Sequence, residues 1–251
     1  MAHTETRRLV PGARNAVLFI HGIVGTPNHF RKLLPMEELV PADWSVWNLL
    51  LGGHGGSVRD FSNTSMKKWE DQVWDAFQKL AVTHERVLIA AHSMGTLFAI
   101  QLALEYPKKI PELFLIAVPM RPWVRFYGAV NCLRLVFGKI REGNPLETAA
   151  RDACGVVTTR KLWQYLGWVP RYLELFSAIS RTRRQLDCLR VPSIALHSKK
   201  DELVSNRARS RLEKCGVMKI VELPQSGHFY YAPEDWETVR DLFTECMKKH
   251  D

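Results

Sequence analysis

The sequence predicts an α/β fold, with a mostly parallel sheet, helices on both faces and an inserted helical cap. Three observations carry this. Short apolar runs recur at 17–20, 45–49, 86–90, 112–117, 192–197 and 218–223, and strands apolar on both faces are those of a covered parallel sheet. Most of them are separated by stretches with helical periodicity; in 65–83, Trp69, Val73, Phe77 and Leu80 fall at i, i+4, i+8 and i+11. From 119 to 185 the alternation stops, and that stretch is too long for a bare connection, so it must carry structure of its own.

Taken in order, the strand at 17–20 leads into His21-Gly22-Ile23-Val24-Gly25-Thr26-Pro27, and a helix is expected over 28–39. The strand at 45–49 is followed by the glycine loop Gly52-Gly53-His54-Gly55-Gly56 and the helix at 65–83. After the strand at 86–90, a helix is expected over 94–106, then the strand at 112–117. Beyond the insertion come a strand at 192–197, a helix at 206–214, a strand at 218–223 and a last helix at 233–249. Pro233 suits the first turn of that helix, where its missing N–H costs nothing, and Lys248 and Lys249 suit its negative end. The expected domains are a core of 1–118 with 186–251, and a helical cap of 119–185.

The most informative stretch is Ala91-His92-Ser93-Met94-Gly95, between a strand and a helix. A serine on such a turn, with small residues two before and two after, is a nucleophile elbow: the turn strains its backbone and lifts the hydroxyl clear of the sheet. The pattern alone is weak and gains weight from its context. Parallel sheets bind ligands beyond the carboxyl ends of their strands, and three further candidates lie after strands. Ile23 and Met94 would offer backbone N–H groups to an oxyanion, with Gly22 letting the loop approach and His21 beside it. Asp201 follows the strand at 192–197, where a carboxylate can orient an imidazole; Glu202 is its nearest competitor, and Asp187 fits less well because it precedes the strand. His228, in Gln225-Ser226-Gly227-His228-Phe229, has the reach to take the serine proton on one nitrogen and donate to the acid from the other. His92 should point into the packing beside the turn, and His54 is placed to line the pocket.

These residues resemble the α/β-hydrolase superfamily, in particular its small carboxylesterase and monoglyceride-lipase-like serine hydrolases. The resemblance rests on the His21–Pro27 stretch, Leu51-Gly52-Gly53-His54-Gly55, Trp69, His92-Ser93-Met94-Gly95, Asp201 and Ser226-Gly227-His228, and spans about residues 15 to 245. Ala91 replaces the first elbow glycine, and Thr96 stands where many relatives carry another. The resemblance implies a serine esterase or lipase with the triad Ser93, Asp201 and His228 and no metal or organic cofactor. Acyl transfer or cleavage of another bond on the same triad remains open, as does a small-molecule receptor that kept the pocket.

Composition bounds the rest. The 251 residues, 46% hydrophobic and 24% charged, suit one globular α/β domain. The basic N-terminus lacks the apolar segment of a secretory signal, and five scattered cysteines suggest neither a disulfide framework nor a zinc site, so a reducing cytoplasm is expected. Nearly all of the +9 net charge resides in 119–185, where twelve Arg or Lys face four Asp or Glu. Solvated arginines are the plain reading; a patch for an anionic membrane or substrate is the alternative. No nucleic-acid-binding module is apparent. The same segment is rich in aromatic residues, Trp123 among them, and would roof a pocket for an ester with an apolar part.

Overall fold

The structure is a computed structural model that describes residues 3–122, 134, 141 and 143–251. Among the described residues one sheet contains β1 (Thr6–Arg8), β2 (Asn15–Ile20), β3 (Ser45–Leu49), β4 (Arg86–His92), β5 (Leu113–Ile116), β6 (Ser193–Ser198) and β7 (Met218–Leu223), in the order β1-β3-β2-β4-β5-β6-β7. All neighbours run parallel except β1, which pairs antiparallel with β3. The helices whose bounds lie among the described residues are α1 (Val58–Ser62), α2 (Met66–Thr83), α3 (Met94–Glu105), α4 (Pro145–Ala153), α5 (Val169–Gln185), α6 (Arg209–Leu212) and α7 (Pro233–Lys248).

The layering follows from the two-residue period of a strand. Along β2, Ala16, Leu18 and Ile20 join one buried cluster with α2 and α3, while Val17 and Phe19 join a second with Phe30, Trp44 and Phe243 of α7. Trp69, Val73, Phe77 and Leu80 all lie on the buried side of α2, as their spacing predicts. At the sheet's edge, β7 is buried mainly at its ends.

Two expected helices are cut down. Residues 28–39 form two 3-10 turns, Pro27–Phe30 and Glu37–Leu39. Pro35 lies between them; it cannot donate a helical hydrogen bond and disfavours helical angles at Leu34. Residues 206–214 form a 3-10 turn, Asn206–Ala208, and the single turn of α6. Strand β1 was not expected, because it has no apolar run. It is held as an edge by Arg7, whose guanidinium stacks 4.1 Å from the Trp47 ring, and by Arg8, which donates to the carbonyls of Val40, Pro41 and Trp44.

Between β5 and β6 lie α4, a 3-10 stretch at Leu162–Trp168 and α5. Tyr165, Trp168 and Tyr172 pack against the core, and the Trp168 indole donates to Val58 O at 3.1 Å. Trp163 instead faces solvent. Trp123 falls outside the described residues, so its expected place at a pocket does too.

Candidate active site

Ser93 occupies the turn from β4 into α3 with φ 52° and ψ −119°. A non-glycine residue in that region costs about 1–3 kcal/mol and persists only where its surroundings hold it. Here they do. Ser93 N–H donates to Ile116 O at 2.8 Å, and Ser93 O accepts from the Thr96 N–H at 3.0 Å and the Thr96 hydroxyl at 2.6 Å. Thr96, where a glycine is common in the resembling family, thus adds a second bond to the strained turn. The small neighbours are needed for space: a Cβ on Gly95 would meet the Ile20 and His21 carbonyls, and one on Gly22 would come within 2.9 Å of Ser93 Cβ.

Asp201 and His228 meet as expected. The loop after β6 buries Asp201 to 1% exposure, and its Oδ1 accepts from Leu203 N–H at 2.8 Å and Val204 N–H at 2.7 Å. Oδ2 lies 2.9 Å from Nδ1 of His228, which is 2% exposed. Burial alone would raise the Asp201 carboxyl, but the adjacent imidazole and the two backbone donors outweigh it and hold the group below its ordinary range. For His228 the balance runs the other way. Burial alone would lower it, and the Asp201 carboxylate, helped by Glu202, holds it above the ordinary histidine value. Glu202, the rival candidate for the acid, grips the same residue elsewhere, accepting the His228 backbone N–H at 2.9 Å.

The His228 loop is pinned from several sides. Lys200 N–H donates to Ser226 O, and Asp235 in the first turn of α7 accepts from Gln225 N–H and the Ser226 hydroxyl. The His228 carbonyl accepts from Tyr231 Oη at 3.3 Å and from His92 Nε2 at 3.2 Å. Among the described residues His92 makes no hydrogen bond to the serine hydroxyl, and it stacks on His29 with ring centroids 3.7 Å apart. Its ring also lies 4.8 Å from that of His228, which sets the elbow beside the histidine loop. Among the described residues Ser93 Oγ and His228 Nε2 make no hydrogen bond, to each other or elsewhere; such contacts often tighten only when substrate is bound.

The candidate oxyanion groups stand at the same edge. Neither Ile23 N–H nor Met94 N–H donates to another described residue, and Met94 opens α3, where the helix dipole favours negative charge. The loop carrying Ile23 is braced by two histidines. His21 Nε2 accepts from Leu51 N–H and its Nδ1 donates to Gly22 O; His54 Nε2 accepts from Val24 N–H and its Nδ1 donates to Leu51 O. Both nitrogens of each ring are therefore taken by backbone, and the two residues act as struts with no polar atom left over. Burial keeps them neutral, lowering His21 to about 4 and His54 well below its ordinary value.

Sequence reasoning missed His29, Tyr231, Asp235 and the backbone role of Glu202. None belongs to a motif, and only the folded loops bring them together. Among the described residues, one group has metal-ligand chemistry: Glu112, Cys246 and His250. Its carboxylate already accepts from Lys249 and His250.

A strained serine at a helix N-terminus and a buried carboxylate–imidazole pair, all past the carboxyl ends of parallel strands, define an α/β-hydrolase. The chain belongs to the family described as "Hydrolase_4: Serine aminopeptidase, S33", which matches residues 11–228. Solved structures agree on the fold. A metagenome-derived lipolytic enzyme is 18% identical, with a TM-score of 0.74 over 99% of this chain and 98% of its own. The monoacylglycerol lipase of Paleococcus ferrophilus is 19% identical, with a TM-score of 0.70 over the whole of both chains. Est1E from Butyrivibrio proteoclasticus, solved with ferulic acid, is 16% identical, with a TM-score of 0.63 over 98% of this chain and 94% of its own. No curated protein sequence matches the chain significantly.

Proposed function

We infer that this chain hydrolyses carboxylic esters through an acyl-enzyme on Ser93. The observation that carries this reading is the buried Asp201–His228 pair, whose imidazole is raised in basicity beside the strained Ser93 turn. His228 Nε2 takes the Ser93 proton as Oγ attacks the ester carbonyl, while Asp201 holds the Nδ1–H tautomer and stabilises the imidazolium. The Ile23 and Met94 N–H groups receive the tetrahedral oxyanion. His228 then protonates the leaving alcohol, and a water activated by the same ring releases the acid. This sequence calls for no metal or organic cofactor.

Esters with an apolar part are favoured because two of the similar structures are named as a lipolytic enzyme and a monoacylglycerol lipase. Residues 119–185 would then act as a helical cap over a core of 1–118 and 186–251, with Gly22 and Trp123 at the substrate. His21 and His54 would shape that edge only through the loops they brace. The family description favours a second reading, cleavage of an amide next to a free amine. No described helix is long and apolar enough to cross a membrane, and the reduced thiols of Cys188, Cys215 and Cys246 fit a reducing cytoplasm.

The test is a panel of p-nitrophenyl esters from acetate to palmitate beside aminoacyl p-nitroanilides, assayed on wild type and Ser93→Ala. Esters should be turned over faster than anilides, and Ser93→Ala should lower kcat by on the order of 10⁶. Near-wild-type ester turnover by that variant would sink the assignment. A fluorophosphonate probe should label Ser93 in wild type and not in His228→Ala; an unlabelled wild type would instead favour a receptor. Product with an added alcohol exceeding hydrolysis would favour acyl transfer.

A further inference from the structure

Apart from Leu9 and Val82, every large hydrophobic side chain that stands exposed among the described residues lies between 157 and 176. Along α5, Val169, Leu173 and Phe176 fall at i, i+4 and i+7 on one helical face, and in the 3-10 stretch before it Trp163 and Leu166, three apart, share a face. Together with Leu162 they form an exposed apolar stripe. Leu166 is 71% exposed, Leu173 62%, and Trp163 beside them 66%. The opposite side of the same stretch, with Tyr165, Trp168, Tyr172 and Leu175, is packed on the core. The stretch is thus apolar both towards the protein and towards solvent.

The charges beside the stripe are of one sign. Between 157 and 180 the exposed charged side chains are Arg160 and Lys161, and neither makes a side-chain bond among the described residues. The acid in that stretch, Glu174, is turned inward to Met66 N–H and the Arg171 guanidinium. At the far end Arg181 is paired with Glu70, while Arg183 and Arg184 donate to Met120 O and the Ser180 hydroxyl and meet no acid among the described residues. Other basic groups of the insertion are neutralised internally, such as Arg134 and Arg141 on the Glu147 carboxylate.

We propose that this stripe docks the protein on an anionic lipid surface, with Trp163 and the leucines entering the acyl boundary and Arg160 and Lys161 meeting lipid phosphates. An amphipathic helix that combines Trp, Phe and Leu with flanking cations lies in the plane of such an interface. A second copy fits poorly. Both ends of the stripe are cationic, so a two-fold contact would set like charges against each other in either orientation. An anionic lipid layer satisfies the apolar face and both ends at once.

The experiment is co-sedimentation of the full chain with vesicles of phosphatidylcholine alone or mixed with phosphatidylglycerol, at low and high salt, beside size-exclusion chromatography with light scattering. Ser93→Ala should bind as wild type does, which separates this proposal from the hydrolase reading. Wild type should bind the mixed vesicles and weaken as salt rises. The double variant Arg160→Glu/Lys161→Glu should bind at least about tenfold more weakly. Trp163→Ser/Leu166→Ser, which alters only exposed side chains, should weaken binding by a similar factor. Absence of binding, equal binding to both vesicle types, or wild-type binding by either double variant overturns the proposal. So does a dimer that the stripe variant dissolves while vesicle binding is missing.

Discussion

His228 and His92 lie side by side and equally buried, yet their chemistry is opposite. His92 faces the His228 carbonyl and the rings of His29 and His228, and burial drives its basicity well below the ordinary histidine value. His228 pays the same desolvation cost and is raised, because its Nδ1 meets the Asp201 carboxylate. One buried carboxylate therefore separates a neutral strut from a base. His21, His29 and His54 fall on the strut side, each lowered chiefly by burial.

The sharpest way to break that contrast is Asp201→Asn, which would leave His228 in a setting like that of His92. Its kcat at neutral pH should fall by on the order of 10⁴. The acid limb of kcat/KM, which in wild type should lie above the ordinary histidine value because the neutral imidazole is the base, should move down. A limb that stays in place would mean that Asp201 does not set the basicity of His228.

Acid stability probes the struts. Histidines lowered in the folded state are protonated first in the unfolded chain. Stability is then complete above about pH 6.5 and declines as pH falls, towards about 4 for His21. Each such group contributes a slope of about 1.4 kcal/mol per pH unit. His228 acts with the opposite sign, since a raised group adds stability that is lost as pH rises through its folded value. Four fully buried, lowered histidines against one raised give a net loss on acidification, and the Asp201 carboxylate, held low by His228 and its backbone donors, adds to it at still lower pH. Urea titrations from pH 8 to about 5 should show this decline, and His29→Gln should reduce the slope by about one proton; a flat profile would contradict the buried, neutral assignment.

A smaller effect separates the two acids. Glu202→Ala removes the acceptor of the His228 backbone N–H and should lower kcat about tenfold, roughly the energy of one charge-assisted bond. Glu202→Gln keeps an acceptor there and should restore most of kcat while still shifting the acid limb slightly down. A purely structural role would leave that limb unmoved. Smallest is Tyr231→Phe, which removes one donor to the His228 carbonyl and should cost about 1 kcal/mol of stability in a denaturant titration, with little change in kcat.

Much of this was legible in the sequence because the signals were local. The strands at 45–49 and 218–223 match their apolar runs to the residue, and the small residues around Ser93 announced a turn whose crowding the structure explains. Where the alternation of strands and helices was contradicted by a local signal, the reading failed: the helix expected over 28–39 is interrupted at Pro35. Strand β1 had no signal, since an edge held by arginines needs no apolar face.

By itself the sequence determined the parallel strands, the longer helices α2, α3 and α7 and the strand ends that gather Ser93, Asp201 and His228, because periodicity and turn chemistry act over a few residues. Tertiary structure decided which acid meets the imidazole ring and which meets its backbone, and that His21 and His54 brace loops with both ring nitrogens. It also left the outer side of 162–176 uncovered. Those outcomes depend on distance and burial between segments far apart in the chain, where hydrogen bonding and desolvation choose among side chains of the same type.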